Sequence, residues 1–268
     1  MTVANIAILL ATGIGVGFAG GLLGVGGAFI MTPVQYMVFT NMGVSPDIAI
    51  KLAFGTSLMV ILPTAASGAW RHHREGAVWW KAALVMGGCG LACAFGGATL
   101  ASYLPGVTLK IVFGVVVIAA GAGMLIRGPM EANEEPKKNP WLWAVWAVPI
   151  GLISGLVGLG GGILAVPIMV LALKLKMHDA VATSLAVIMI TSIGGIVGYI
   201  VNGFGLPGLP THSMGYIHLE SWALLASTSI AMAQVGARTA YRLPAKKLKY
   251  IFIGVMFYMG LRMLGVSG

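Results

Sequence analysis

Ten apolar runs, punctuated by turn residues or charges, occupy almost the whole chain: residues 3–21, 27–39, 48–70, 78–103, 109–126, 142–155, 161–173, 180–201, 219–241 and 248–264. A helix needs about 20 mainly apolar residues to cross a bilayer, so runs of this number and length predict an all-α integral membrane protein. With 58% hydrophobic residues, 9% charged residues and a mean hydropathy of +0.95, the chain lies outside the soluble range. No room remains for a sizeable extramembrane domain, which excludes a soluble catalytic or ligand-binding module. The excess of 16 Lys+Arg over 7 Asp+Glu then speaks of orientation in a bilayer and not of nucleic acid. The first run lacks a basic n-region and a small-x-small cleavage site, so it reads as a retained helix. Cys89 and Cys93 share one apolar run and read as free packing thiols.

The runs repeat. GLLGVGGAFIMTP, from Gly21 to Pro33, aligns without a gap on GLVGLGGGILAVP, from Gly155 to Pro167. GTSLMVILPT at Gly55 to Thr64 aligns equally on ATSLAVIMIT at Ala182 to Thr191. A third block, Gly97-Ala98 with Leu104-Pro105 and Leu109-Lys110, recurs as Gly236-Ala237 with Leu243-Pro244 and Leu248-Lys249. Three blocks in one order make two five-segment units, residues 1–127 and 141–268, joined by a polar linker over 128–140. Loop charges orient the units. WRHHREG follows the third run and KLKMH the seventh, and Arg238, Arg242, Lys246, Lys247 and Lys249 follow the ninth; SYLPGVTL and the long NGFGLPGLPTHSMGYIH carry no Lys or Arg. Placing the basic loops inside gives an inverted-topology repeat with the linker inside and both termini outside, in the cell inner membrane. Runs two and seven have roughly 13 residues, about 20 Å as helices, so they are short or re-entrant.

Glycine runs open both short segments. Gly26 and Gly27, and Gly160, Gly161 and Gly162, each precede a helix interrupted by Pro33 or Pro167. Glycine tolerates unusual dihedrals and exposes backbone, and the N–H groups at a helix start attract anions. Close packing is the alternative role of such glycines. Thr56-Ser57 and Thr183-Ser184 are duplicated hydroxyl pairs that either donate to an anion or bond to their own helix carbonyls. Gln35 and Gln234 are candidate pore-lining donors, with interhelical bonding as the alternative.

No Asp or Glu falls at the centre of a run, which reads against a cation carrier. Asp47 and Asp179 sit where runs begin and read as N-caps. His72 and His73, with Arg71 and Arg74, read as a solvated turn. Neither the histidines nor the two cysteines form a convincing ligand set, so no metal or other cofactor is expected. No nucleophile–base–orienter constellation supports an enzyme.

At GLLGVGGAFIMTPVQ, GLVGLGGGILAVPIMV, GTSL, ATSL and VGARTAYRLPAKKLK the chain resembles the TauE/SafE family of membrane transporters, over nearly its whole length. That resemblance implies movement of small sulfur-containing anions such as sulfite, sulfoacetate and other organosulfonates, or thiosulfate. Carried across, it implies that the glycines and prolines of the two blocks and the two Thr-Ser pairs serve substrate. Ala28 stands where the second block has Gly162, and the 202–218 connection has no counterpart in the first half. The expected function is a secondary exporter of such an anion, with a passive channel, or a membrane anchor subunit or enzyme of sulfur metabolism, as alternatives. Its expected partners are the anionic substrate and the bilayer, without nucleic acid; a homo-oligomer is compatible with the sequence.

Overall fold

The computed structural model describes residues 1–24, 26–126, 139–239 and 245–265. The ten apolar runs are ten helices: α1 (Val3–Leu23), α2 (Ala28–Asn41), α3 (Pro46–Arg74), α4 (Trp80–Tyr103), α5 (Gly106–Ile126), α6 (Pro140–Val157), α7 (Gly162–Leu171), α8 (Met177–Gly203), α9 (Leu219–Thr239) and α10 (Ala245–Met263). Six of them, α1, α3, α4, α5, α6 and α8, are long and apolar enough to cross a membrane. The chain is therefore an all-α multi-pass membrane protein. Most of the inter-run linker expected at 128–140 lies outside the described residues.

Local chemistry sets several ends. The Thr2 hydroxyl accepts the Asn5 N–H and the Asn139 side chain accepts the Trp141 N–H, each at the start of its helix. Gly24 and Gly158 close α1 and α6 in the left-handed conformation, where glycine avoids the Cβ penalty. α2 has 14 residues and α7 has 10, about 21 and 15 Å of helix. Neither reaches across a hydrocarbon core of about 30 Å on its own.

Two three-helix groups form, each mixing both halves of the sequence. In the first, α1, α3 and α9 run in one direction: Gly13, Gly17 and Gly21 face Leu225, Ser229 and Ala233, while Trp222 donates to the Met59 carbonyl at 3.1 Å and Thr64 bonds Ser229 at 2.8 Å. In the second, α4, α6 and α8 do likewise. Gly151 and Gly155 face Gly90 and Ala94, Gly194 faces Leu91, and Asn202 donates to Thr99 at 3.1 Å. α3 and α8 join the groups by crossing antiparallel, with Gly55 beside Tyr199, Leu58 beside Gly195 and Gly68 beside Leu185. α5 and α10 also pair antiparallel, with Gly114 beside Gly260 and Gly121 beside Phe257.

The third repeated block makes repeated contacts in the other half. Gly97 packs on the backbone of Leu152 and Leu156, and its counterpart Gly236 on that of Phe18 and Leu22. Small residues let helix backbones approach this closely where lipid gives no hydrophobic drive to associate.

Three end-group readings need correction. Asp179 is not an N-cap: α8 starts at Met177 with Lys176 as its N-cap residue, and Asp179 sits within the first turn. Asp47 does not cap its own helix: Ser45 is the α3 N-cap residue, and the Asp47 carboxylate accepts the Gly106 N–H at the start of α5 while pairing with Lys51 at 3.0 Å. A sequence shows which helix a carboxylate precedes, not which neighbouring helix start it meets. His72 is not solvated but fully buried, its ring 5.7 Å from that of His178 on α8 and its Nε2 3.4 Å from the Gly21 carbonyl. The antiparallel α3–α8 crossing encloses it.

Candidate functional site

The site is built around the two glycine turns. Gly24, Gly26 and Gly27 all have positive φ, of 70°, 73° and 72°, and Gly158, Gly160 and Gly161 match them at 63°, 70° and 80°. Six left-handed positions in two equivalent triplets require glycine for conformational reasons alone. Each triplet reverses the chain, so that α2 returns antiparallel along α3. The turn of one half also docks on the long helix of the other. Gly24 sits against Val181 and Ser184 of α8, and Gly158 against Phe54 of α3.

Gly26 and Gly160 then approach the same side chain. Space for a Cβ at Gly26 ends 3.4 Å from Ile61, and at Gly160 it ends 3.2 Å from Ile61 and 3.1 Å from Ile188. Ile61 lies next to the midpoint of α3, so both turns meet about halfway along the longest helix.

Gly27 and Gly161 are the N-cap residues of α2 and α7. The N–H groups of Gly161, Gly162 and Ile163 make no backbone hydrogen bond, as expected for a first helical turn. Pro33 is buried within α2, and Pro167 is half-buried within α7. Pro167 also lines a shallow apolar groove with Trp146, Ile168, Leu171 and Ala172.

The duplicated hydroxyl pairs are fully buried. Thr56 accepts the His218 N–H at 2.9 Å, and Thr183 accepts the Trp79 N–H at 3.0 Å. His218 and Trp79 are equivalent positions immediately before α9 and α4, so each threonine holds the entry to a helix of the other half. Ser184 donates to the Gly24 carbonyl at 2.9 Å, fastening the first glycine turn to α8. Ser57 accepts from the Gln35 amide at 3.0 Å and shares a 3.1 Å bond with Thr32. Gln234 is exposed on α9 and donates to Ser67 at 2.9 Å, so it does not join the Gln35 group. For Thr56→Val we expect a loss of about 1–3 kcal/mol, the usual consequence of stranding a buried N–H. A melting curve in detergent, compared with that of the unsubstituted protein, measures it.

Beside these, two fully buried hydroxyls among the described residues have no hydrogen-bond partner, Ser154 and Ser192. Ser154 on α6 adjoins Gly161, and Ser192 on α8 lies one turn beyond Ile188 and next to Thr191, whose hydroxyl reaches the Gly160 carbonyl at 3.5 Å. Unsatisfied buried polar groups are few in native proteins. Here Ser154 adjoins Gly161 at the start of α7, and Ser192 lies one turn beyond Ile188, which borders Gly160.

The family model described as sulfite exporter TauE/SafE matches residues 9–263. The chain belongs to this family. A probable membrane transporter protein of Methanocaldococcus jannaschii is 31% identical over 261 residues, 96% of this chain and 94% of its own length. One from Haemophilus influenzae is 26% identical over 258 residues, 96% and 97% of the two chains. The probable membrane transporter protein YdhB of Bacillus subtilis is 29% identical over 189 residues, 69% and 74% of the two. No solved structure matches the chain. As a TauE/SafE protein it is a membrane transporter of a small molecule and not an enzyme.

Within this TauE/SafE chain, duplication pointed to the glycines and Thr-Ser pairs but passed over Ser154 and Ser192. Their counterparts in the first half are Gly20 and Ala65. Only their burial without partners reveals them.

Proposed function

We propose that the chain is a secondary transporter of a small sulfur oxyanion, sulfite or an organosulfonate, that exports by alternating access of a site between the glycine turns. The observation that carries this reading is the start of α7, where the N–H groups of Gly161, Gly162 and Ile163 and the unpartnered Ser154 and Ser192 hydroxyls supply donors without a buried cation. Helix starts favour anions by their dipole and their free N–H groups. The matching turn at Gly26 and Gly27, with Pro33, forms the other side; Ser184 couples that turn to α8, and Thr56 and Thr183 hold the entries to α9 and α4 in the opposite halves. Pro167 lies within α7 behind its turn.

Units 1–127 and 141–268 act as inverted repeats in the inner membrane, with both termini outside. Support comes from the loop charges and from α3 and α8, equivalent helices that run antiparallel. Export of an anion down an inside-negative potential gains about 2.3 kcal/mol per charge per 100 mV and needs no coupling ion.

The test is transport into liposomes containing only this protein, with sulfite, organosulfonates, sulfate and chloride at imposed voltage. Saturable counterflow of labelled sulfite is the expected result; non-saturating conductance would make the protein a channel. Ser154→Ala and Ser192→Ala should each weaken apparent affinity roughly ten-fold, since a hydrogen bond to a charged group contributes about 1.5–3 kcal/mol. Their melting temperatures should hold or rise, because each removes an unsatisfied hydroxyl. Unchanged affinity in both variants moves the site elsewhere.

A further inference from the structure

Gln35 is fully buried on α2. Its Nε2 donates to Ser57 at 3.0 Å, while its Oε1 is buried and accepts nothing. A stranded carbonyl costs the desolvation of that group without return. The repeat does not require it: the positions equivalent to Thr32 and Gln35 are Val166 and Met169. The first half thus spends stability on an acceptor that the second half replaces with a methionine of nearly the same size. Ser57, its partner, lies one turn from Ile61 on the same face of α3, and Ile61 is where the glycine turns meet.

The surroundings constrain what fills this acceptor. Among the described buried polar residues the chargeable side chains are Lys51, His72 and His218. Lys51 is held by Asp47 at 3.0 Å and by the Ser102 carbonyl at 3.1 Å. His72 lies at the far end of α3, and the His218 Nδ1 is engaged with Ser221. Neither Lys51 nor His72 neutralises a charge beside Ser57, and burial favours the neutral form of the nearby His218 ring. A dianion there would be desolvated without a counter-charge, which is far more costly than a monoanion met by neutral donors. An acceptor that no protein donor satisfies fits a ligand that brings its own hydrogen.

Resting on the anion-transport reading above, we infer that the Gln35 carbonyl accepts a hydrogen bond from the transported anion, so that the carrier selects a monoanion retaining one O–H. Dianions are disfavoured by charge, and monoanions with no hydrogen to donate leave Oε1 stranded. This makes Gln35 a specificity-determining residue of the first half, beside a second half that supplies backbone and hydroxyl donors.

The experiment measures ligand-induced thermal stabilisation of the purified wild-type protein by sulfite, sulfate and methanesulfonate, as pH is raised through the second ionisation of sulfite. Stabilisation by sulfite should fall in step with the monoanion fraction. At the acid end, sulfate and methanesulfonate should bind about ten-fold more weakly than sulfite, the consequence of one unmade hydrogen bond to a charged ligand. Methanesulfonate keeps its charge throughout. It therefore reports any effect of titrating groups around α2, namely Lys110 with Tyr36 and His218 against Phe39. Gln35→Met, which installs the residue of the other half, should melt at or above wild type and bind sulfite and methanesulfonate alike. Equal stabilisation by both forms of sulfite, or a preference that survives Gln35→Met, overturns the inference while leaving anion transport intact. If no sulfur oxyanion or organosulfonate stabilises wild type at any pH, the anion reading itself falls. The wild-type pH series needs no variant to fold.

Discussion

Gly21→Ala and Gly155→Ala are each expected to leave little folded protein in the membrane. A Cβ at Gly155 would overlap the Ala94 carbonyl oxygen, and one at Gly21 would overlap that of Ala233. The obstacle is backbone in both cases, so no rotamer change relieves it and the whole helix must move. Overpacking commonly costs about 1–3 kcal/mol when side chains can adjust; here they cannot, and a total stability of about 5–15 kcal/mol has little to spare. Gly15 and Gly88, in α1 and α4, meet nothing within 4 Å and serve as controls that accept alanine. Gly87→Ala is an intermediate case, because it meets the Ile190 side chain. Ile190→Gly, which removes every atom that the new methyl meets, should relieve it, whereas shortening Ala94 to glycine should not rescue Gly155→Ala. Yield and melting temperature of the detergent-solubilised variants measure the effect, and normal folding of both Gly21→Ala and Gly155→Ala would refute the close helix approach described for α1–α9 and α4–α6.

These glycines mark the boundary between what the sequence reveals and what it hides. Apolar length and turn residues locate ten helices, since both are local properties of the chain. Duplication locates the glycine turns, because Gly24, Gly26 and Gly27 need the same left-handed backbone as Gly158, Gly160 and Gly161. Neither property says which helices touch. That Gly97 lies on α6 and Gly236 on α1 depends on long-range packing, and two copies of a motif are equally compatible with packing within a half or across halves. The Thr56 and Thr183 duplication was visible, yet their service as acceptors for His218 and Trp79 required knowing where the 204–218 and 75–79 connections fold back. Ser154, Ser192 and the stranded end of Gln35 were hidden for another reason: each is unique to one half, and symmetry is blind to what is not repeated.

The same asymmetry predicts that one of the two equivalent latches responds to acid and the other does not. At the start of α9 the buried His218 donates its N–H to Thr56, and its Nδ1 accepts the Ser221 N–H at 3.2 Å and bonds the Ser221 hydroxyl at 2.9 Å. Its ring lies T-shaped against that of Phe39, with centroids 5.5 Å apart. Burial holds the imidazole below its usual range; Glu220 and the Thr211 carbonyl oppose this, while His212 and the terminal amine add to it. A histidine kept neutral by the closed structure stabilises that structure fully above the ordinary imidazole range. As pH falls toward its own lowered value, the open form takes up the proton and the closed form loses ground. One proton taken up on opening shifts the equilibrium by up to about ten-fold per pH unit in that window. Trp79, at the equivalent place before α4, has nothing to titrate. The measurement is the labelling rate of Ser213→Cys, in a protein lacking Cys89 and Cys93, by a maleimide reagent. Dividing by the rate in a His218→Asn background removes the thiol's own pH dependence, since asparagine offers an acceptor near Nδ1 but holds no titrating proton. The ratio should climb several-fold or more as pH drops below the imidazole range and level off above it. A ratio independent of pH would show that His218 holds the 204–218 connection by packing on Phe39 and not through its neutral ring.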